Sequence, residues 1–281
     1  MILVLGATGT TGGEVARQLI AAGERPRLLV RDPTRAREFD GKADIVQGDL
    51  DRPESLAAAM RGIEKIYLVS TGVEIERLEG NVVDAAKRAG VRHVVKLSVL
   101  DADRPRFDLA RWHGASERRL SDSGLAWTML RPGNFMTNAL GWAATVKSQG
   151  AFYQPTGEGR WAAIDPADIG AVAVAALTTP GHEGKRHALT GPQALSAAGY
   201  AAVLSRVLGK PVRFVDVPPE AARESMLGAG MPPAYVDAIV DLNAAMRSGA
   251  LDAVTDTVRA VTGREARTFE DWARRNAPAF Q

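Results

Sequence analysis

Two groups of residues in this sequence carry recognisable chemistry. Near the start, Gly6-Ala7-Thr8-Gly9-Thr10-Thr11-Gly12 sets three glycines at intervals that suit a phosphate-binding turn. In such a turn Gly6 permits the sharp bend, Gly9 lets backbone approach a pyrophosphate and Gly12 lets the following helix lie close to the sheet. Thr8, Thr10 and Thr11 add hydroxyls to the same turn. Much further on, His113 and Glu117 stand four residues apart. On a helix this spacing places both on one face, where a carboxylate orients or charges an imidazole that gives a hydrogen bond or proton to a bound substrate. The same pair also fits a partly buried histidine that ties its helix to the strand ends.

What is missing narrows the chemistry further. None of the four tyrosines has a lysine four residues later, so the phenol–ammonium pair that drives much carbonyl–alcohol chemistry is absent. Lys65 and Lys96 fall at the start of and inside apolar strand segments, and the pattern gives neither a role. With no cysteine, disulfides, thiolate catalysis and sulfur-ligated metals are excluded. No GxxxxGK[ST] sequence is present, which argues against a P-loop nucleotidase.

The elements that must position these residues alternate regularly. Apolar runs at 2–5, 27–30, 43–49, 65–70, 93–98 and 126–132 read as strands, with helical spacing between them at 53–61, 75–89 and 109–122. Continuous apolar strands separated by helices predict a Rossmann-like α/β fold, a doubly wound parallel sheet covered on both faces. A buried helix over 168–179 and a strand at 187–191 return to that sheet. From 192 onward, helices near 195–208, 219–229, 232–247 and 266–276 surround one strand candidate at 212–217. The expected organisation is a nucleotide-binding domain over 1–150, rejoined by 162–191, and a smaller, mainly helical substrate lobe over 192–281.

Polar residues punctuate the strand ends, where open sheets of this kind gather ligands. Arg31 and Asp32 close the second strand. Arg31 suits a 2′-phosphate and Asp32 suits ribose hydroxyls, so NADP(H) is the preferred cofactor and NAD(H) is possible. Asp49 and Leu50 follow the third strand, where a carboxylate bonds adenine and a leucine packs on its face, or where Asp49 simply caps a turn. Ser70 and Thr71 end the fourth strand and Ser98 the fifth, completing the cofactor candidates.

Trp142 and Phe152, with Tyr153 and Trp161, fit either a flat apolar pocket for a planar substrate or ordinary core packing. Asp165 and Asp168 resemble a metal pair in spacing, but Pro166 and the apolar run behind it favour helix capping, and no metal site is expected. In 281 residues, 35 Lys+Arg balance 33 Asp+Glu, which gives nucleic-acid binding little support. The opening MILVLGATG has no basic leader region and no segment of membrane length, so a soluble, cytoplasmic protein with no membrane association is expected, as a monomer or homodimer.

GATGTTGG, the Arg31 strand end, GDLD at 48–51, KLSVL at 96–100 and above all HGASERRLSDSGLAWTMLRPGNFMTN at 113–138 resemble the NmrA-like branch of the atypical short-chain dehydrogenase/reductase family. Within it, the chain is most similar to the group of type 2 NAD(P)H:quinone oxidoreductases, azoreductases and triphenylmethane reductases. The resemblance implies hydride transfer to a quinone-like, azo or other small electron-poor aromatic acceptor, or else cofactor-dependent sensing through a protein partner without turnover. It also implies that His113 and Glu117 are the histidine and glutamate that recur on this helix, and that Asn134, Phe135 and Asn138 lie on the stretch turning into the substrate cleft. Pro132-Gly133 departs from the arginine-asparagine-glycine order of those reductases.

Overall fold

A computed structural model describes residues 1–281. In chain order, β1 (Ile2–Leu5), α1 (Thr10–Ala21), β2 (Arg27–Val30), β3 (Asp44–Gln47), α2 (Pro53–Met60), β4 (Lys65–Leu68), α3 (Ile75–Ala89), β5 (His93–Leu97), α4 (Asp108–Ser121) and β6 (Ala126–Pro132) come first. Then follow α5 (Ala143–Gln149), β7 (Ala151–Gln154), β8 (Arg160–Trp161), α6 (Pro166–Thr178) and β9 (Lys185–Leu189). The remainder comprises β10 (Leu195–Ser196), α7 (Ala197–Leu208), β11 (Arg213–Asp216), α8 (Pro219–Gly228), α9 (Pro233–Arg247), α10 (Thr257–Thr262) and α11 (Phe269–Asn276).

The chain divides by its contacts into two compact units. The first comprises Met1–Pro105, Ala110–Pro132 and Pro166–Ala188. Its seven strands run in the order β3-β2-β1-β4-β5-β6-β9, and every pairing from β3 to β6 is parallel. This is the Rossmann-like, doubly wound arrangement expected from the alternation of strands and helices. Because side chains alternate along a strand, Leu3, Leu5, Ile66, Leu68 and Val94 face one way, into a core completed by Leu56 of α2, Val82 and Ala86 of α3 and Leu120 of α4. Val4, Leu28, Tyr67 and Val95 occupy the intervening, equally buried positions. On that second face α1 and α6 pack against each other and on the sheet. The strand order reverses between β1 and β4, which makes their carboxyl ends the ligand-binding edge of such a sheet.

The second unit comprises Arg106–Leu109, Gly133–Asp165 and Leu189–Gln281. Residues 133–150 therefore group with the later chain, whereas the sequence pattern had suggested an earlier domain running to 150. Two small sheets explain the grouping: β7 pairs in parallel with β11, and β8 pairs antiparallel with β10. The unit is built on aromatic packing, with Tyr200 stacked at 4.9 Å on Trp161 and edge-on at 4.6 Å to Phe269. Its buried hydroxyl donates to the Trp161 carbonyl (2.8 Å) and accepts from the Ala163 amide (3.1 Å). A reciprocal capping box between Thr268 and Asp271 starts α11, which seals this core with Trp272. No helix is long and apolar enough to cross a membrane.

Candidate functional site

The glycine turn joins β1 to α1 at the point where the strand order reverses. Gly6 adopts a left-handed φ of 65°, and the Gly9 amide closes the turn on the Gly6 carbonyl at 2.8 Å. A Cβ on Gly12 would stand 2.2 Å from the Gly6 oxygen and 2.5 Å from the Leu5 oxygen, so only glycine lets α1 begin this close to the strand. Gly9 is the N-cap of α1 and offers it no side-chain bond, and the first turn contains no acidic residue. The helix start thus presents unsatisfied N–H groups and a positive dipole end, the features that suit a pyrophosphate. Thr8 and Thr10 are exposed beside this turn, whereas Thr11 is buried. The hydroxyl of Tyr67 lies near Thr11, buried and without a well-formed hydrogen bond. Burial pushes its pKa up.

At the end of β2, Asp32 is committed to a local cap. Its carboxylate accepts from the Thr34 amide (2.9 Å) and hydroxyl (2.7 Å), and these bonds hold its pKa below the usual value. Arg31 is exposed, and its guanidinium is free of any ion pair. Asp49 also turns inward on its own loop, accepting from the Asp51 amide at 3.1 Å, while Leu50 packs partly into the sheet core. Thr71 is exposed at the end of β4.

The remaining candidates of this unit belong to buried polar networks under α3 and α4. Glu117 is anchored by Arg131 of β6, whose Nε and Nη2 reach its two oxygens at 2.9 and 2.6 Å. Ser98 donates to the same carboxylate at 2.5 Å, so its hydroxyl points into the protein. His113 is not the partner of Glu117. The guanidinium fork occupies both carboxylate oxygens, and the imidazole Nδ1 meets Lys96 Nζ at 3.2 Å instead. Lys96 also donates to the Leu97 carbonyl at 2.9 Å and forms an ion pair with Glu79 at 2.8 Å. Both Lys96 and Glu79 are fully buried. Glu79 further accepts from Ser70 at 3.0 Å and from Ser116. Burial first, and the Lys96 ammonium second, hold the His113 pKa well below the ordinary imidazole range.

The sequence pattern passed over Lys96, Glu79 and Arg131, although the first two left a signal. Lys96 interrupts an apolar strand, HVVKL, and Glu79 falls on the apolar stripe of α3 between Ile75 and Val82–Val83. Two opposite charges on inward-facing positions of adjacent elements mark a buried pair.

The other five candidates lie in the second unit. Asn134, Phe135 and Asn138 share one turn, in which the Asn138 amide donates to the Asn134 carbonyl oxygen and Phe135 bridges to Ile164. Trp142 stacks on Phe152 with ring centroids 4.0 Å apart and planes within 8°. Phe152 is completely covered, and Trp142 retains an accessible part. Asp165 is held by Arg275 of α11, and Asp168 is buried in the first turn of α6. No group of three or more His, Asp or Glu residues is arranged to hold a metal ion.

Comparison with known proteins agrees with this geometry. Residues 6–180 match the family described as NAD(P)H-binding. An NAD(P)H azoreductase of Xenophilus azovorans is 44% identical over 100% of this chain and 99% of its own length. A (4-alkanoyl-5-oxo-2,5-dihydrofuran-3-yl)methyl phosphate reductase of Streptomyces griseus is 42% identical over 100% and 99%. Among solved structures, an NADPH-dependent quinone oxidoreductase of Escherichia coli complexed with NADPH superposes with a TM-score of 0.89 at 29% identity, covering 97% of this chain and 98% of that one. The chain belongs to the NAD(P)H-binding family and is an NAD(P)H-dependent oxidoreductase.

Proposed function

We propose that this protein reduces a small electron-poor acceptor, a quinone or an azo compound, with NADPH as the preferred reductant. The observation that carries the cofactor preference is the division of labour at the end of β2. Asp32 is spent on its cap while the Arg31 guanidinium stays available for a phosphate. The acceptor class draws support from the 44% identity with an azoreductase along the whole chain.

In this reading Gly6, Gly9 and Gly12 with Thr8, Thr10 and Thr11 hold the pyrophosphate, Arg31 the 2′-phosphate, and Asp49, Leu50, Ser70, Thr71 and Ser98 form the floor of the nucleotide edge. The bound dinucleotide supplies the hydride. His113 then acts at the acceptor through Nε2, the ring nitrogen that Lys96 does not engage. Glu117 assists by pinning α4 to β6 through Arg131, which keeps the imidazole in place. Asn134, Phe135, Asn138 and Trp142 offer amide groups and aromatic faces of the kind a planar acceptor packs on, with Phe152 backing the Trp142 ring.

Anaerobic mixing of the protein with NADPH and a panel containing a benzoquinone, a naphthoquinone, an azo dye and an unsaturated lactone phosphate tests the proposal. NADPH oxidation coupled stoichiometrically to loss of a quinone or the azo dye is the expected result. Tight NADPH binding with no oxidation by any member would overturn it in favour of a cofactor sensor. Turnover of the lactone alone would reassign the acceptor.

A further inference from the structure

A fully buried lysine in the middle of a parallel strand is unusual, because an ammonium leaves water only at considerable cost. Replacing such a pair with apolar residues of similar volume is often neutral or stabilising, so its presence is not explained by stability alone. Each of the three hydrogens on Lys96 Nζ has an acceptor: Glu79 Oε2 at 2.8 Å, the Leu97 carbonyl at 2.9 Å and His113 Nδ1 at 3.2 Å. An ammonium donates and cannot accept. Nδ1 must therefore be the bare nitrogen of the ring, and a neutral imidazole then carries its proton on Nε2. An imidazolium would set an N–H against the ammonium, two donors face to face. Glu79 cannot swing across to take that proton, because Ser70 and Ser116 hold its two oxygens from other directions. Glu117, the carboxylate on the same helix, is fixed to Arg131 and Ser98.

We infer that Lys96, held by Glu79, is the positioning residue of the site: it locks His113 as a neutral Nε2–H donor and replaces the proton that His113 gives away. The inference rests on the placement of His113 at the acceptor proposed above. As the acceptor gains the hydride electron pair, one of its oxygen or nitrogen atoms becomes basic. The His113 Nε2–H bond breaks and an O–H or N–H bond forms on the acceptor. A proton passes from Lys96 Nζ to Nδ1, leaving the ring neutral and the lysine as an amine beside Glu79. Solvent then delivers a proton to Nε2 as Nδ1 returns its own to the Lys96 amine, which restores both the Nε2–H ring and the ammonium, so one proton is taken up per hydride transferred. The ring is never required to carry a charge, which suits a group whose surroundings oppose ionisation.

The test is a two-bond ¹H–¹⁵N correlation spectrum of histidine-labelled protein, recorded with and without NADPH, with the His113 signals assigned by their loss in His113→Gln. A neutral ring bearing its proton on Nε2 across about pH 5 to 8 is the expected result. An Nδ1–H tautomer, or an imidazolium in that range, overturns the inference. The charge-neutral double variant Lys96→Met/Glu79→Gln removes both buried ions together. Its His113 is expected to show mixed tautomers, with kcat reduced roughly 100-fold and NADPH affinity within about twofold of the parent. Retention of the single Nε2–H tautomer and of full kcat in that variant also overturns the inference. If the variant does not fold, the parent spectrum decides. His113→Gln separates the two ideas: an undiminished rate of acceptor reduction refutes the placement of His113 at the acceptor, whereas the tautomer is read from the parent protein alone.

Discussion

Glu117 offers the sharpest quantitative test of this architecture, because its expected role is mechanical. In the folded protein the side chains of Arg131 and Glu117 are only 9% and 5% exposed. Truncation by Glu117→Ala removes two charge-assisted bonds of 2.9 and 2.6 Å from the guanidinium and leaves it Asp103, a partner that is 57% exposed and so well screened. Breaking one side of a buried, bidentate pair costs about 3–5 kcal/mol, most of it the penalty of the charge left behind. Loss of the acceptor for Ser98 adds about 1 kcal/mol. At roughly 2 °C per kcal/mol for a chain of this size, Tm should fall by about 8–12 °C. Glu117→Leu combined with Arg131→Met removes both charges and should recover most of the loss, giving a coupling energy of about 3 kcal/mol in a double-mutant cycle. Urea unfolding followed by tryptophan fluorescence supplies the free energies, with an unchanged slope as the control. A loss below about 1 kcal/mol in Glu117→Ala, or a double variant no more stable than the single one, would refute the anchoring role.

Four further outcomes are expected. Gly12→Ala brings a methyl group within 2.2 Å of the Gly6 carbonyl and should weaken NADPH binding roughly 10- to 100-fold, measured by nucleotide fluorescence titration; parental affinity would contradict the close packing. Arg31→Ala should lower NADPH affinity by a similar factor and leave NADH nearly unchanged, and an equal loss for both nucleotides would remove Arg31 from the 2′-phosphate. Tyr67→Phe deletes a buried hydroxyl that lacks a good partner, so urea midpoints should match or exceed the parent's; a loss above about 2 kcal/mol would reveal a bond there. His93, His182 and His187 are each held below the ordinary imidazole pKa, chiefly by burial. The unfolded chain therefore binds protons before the folded one as pH falls below about 6.5, and Tm should decline from there downward; a Tm that is flat or rising toward about pH 5.5 would contradict this.

The fold was largely legible because parallel strands buried on both faces read as unbroken apolar runs, as in Leu28–Val30 and Val94–Val95. The glycine turn was legible for a related reason, since Gly6 and Gly12 each answer a backbone requirement. Less legible were α5, α10, β7 and the two-residue strands β8 and β10, whose partners are remote in sequence and whose lengths give no periodicity. Side-chain partnerships were the least legible. Helical spacing places His113 and Glu117 on one face, but which neighbour each engages depends on β5 and β6, from which Lys96 and Arg131 project. Likewise the choice between Arg31 and Asp32 turns on a cap bond to Thr34 that the bare dipeptide does not disclose.

The buried pair of Lys96 and Glu79 constrains how this sequence can diverge. Losing either partner alone strands a charge in the core at a cost of about 3–5 kcal/mol, a large share of the 5–15 kcal/mol by which a typical domain stays folded. Stepwise drift at either position therefore passes through a chain that hardly folds. The two positions are expected to change in concert or not at all, so a descendant with an apolar residue at 96 should carry an uncharged one at 79, and its histidine would need a different neighbour to set its proton.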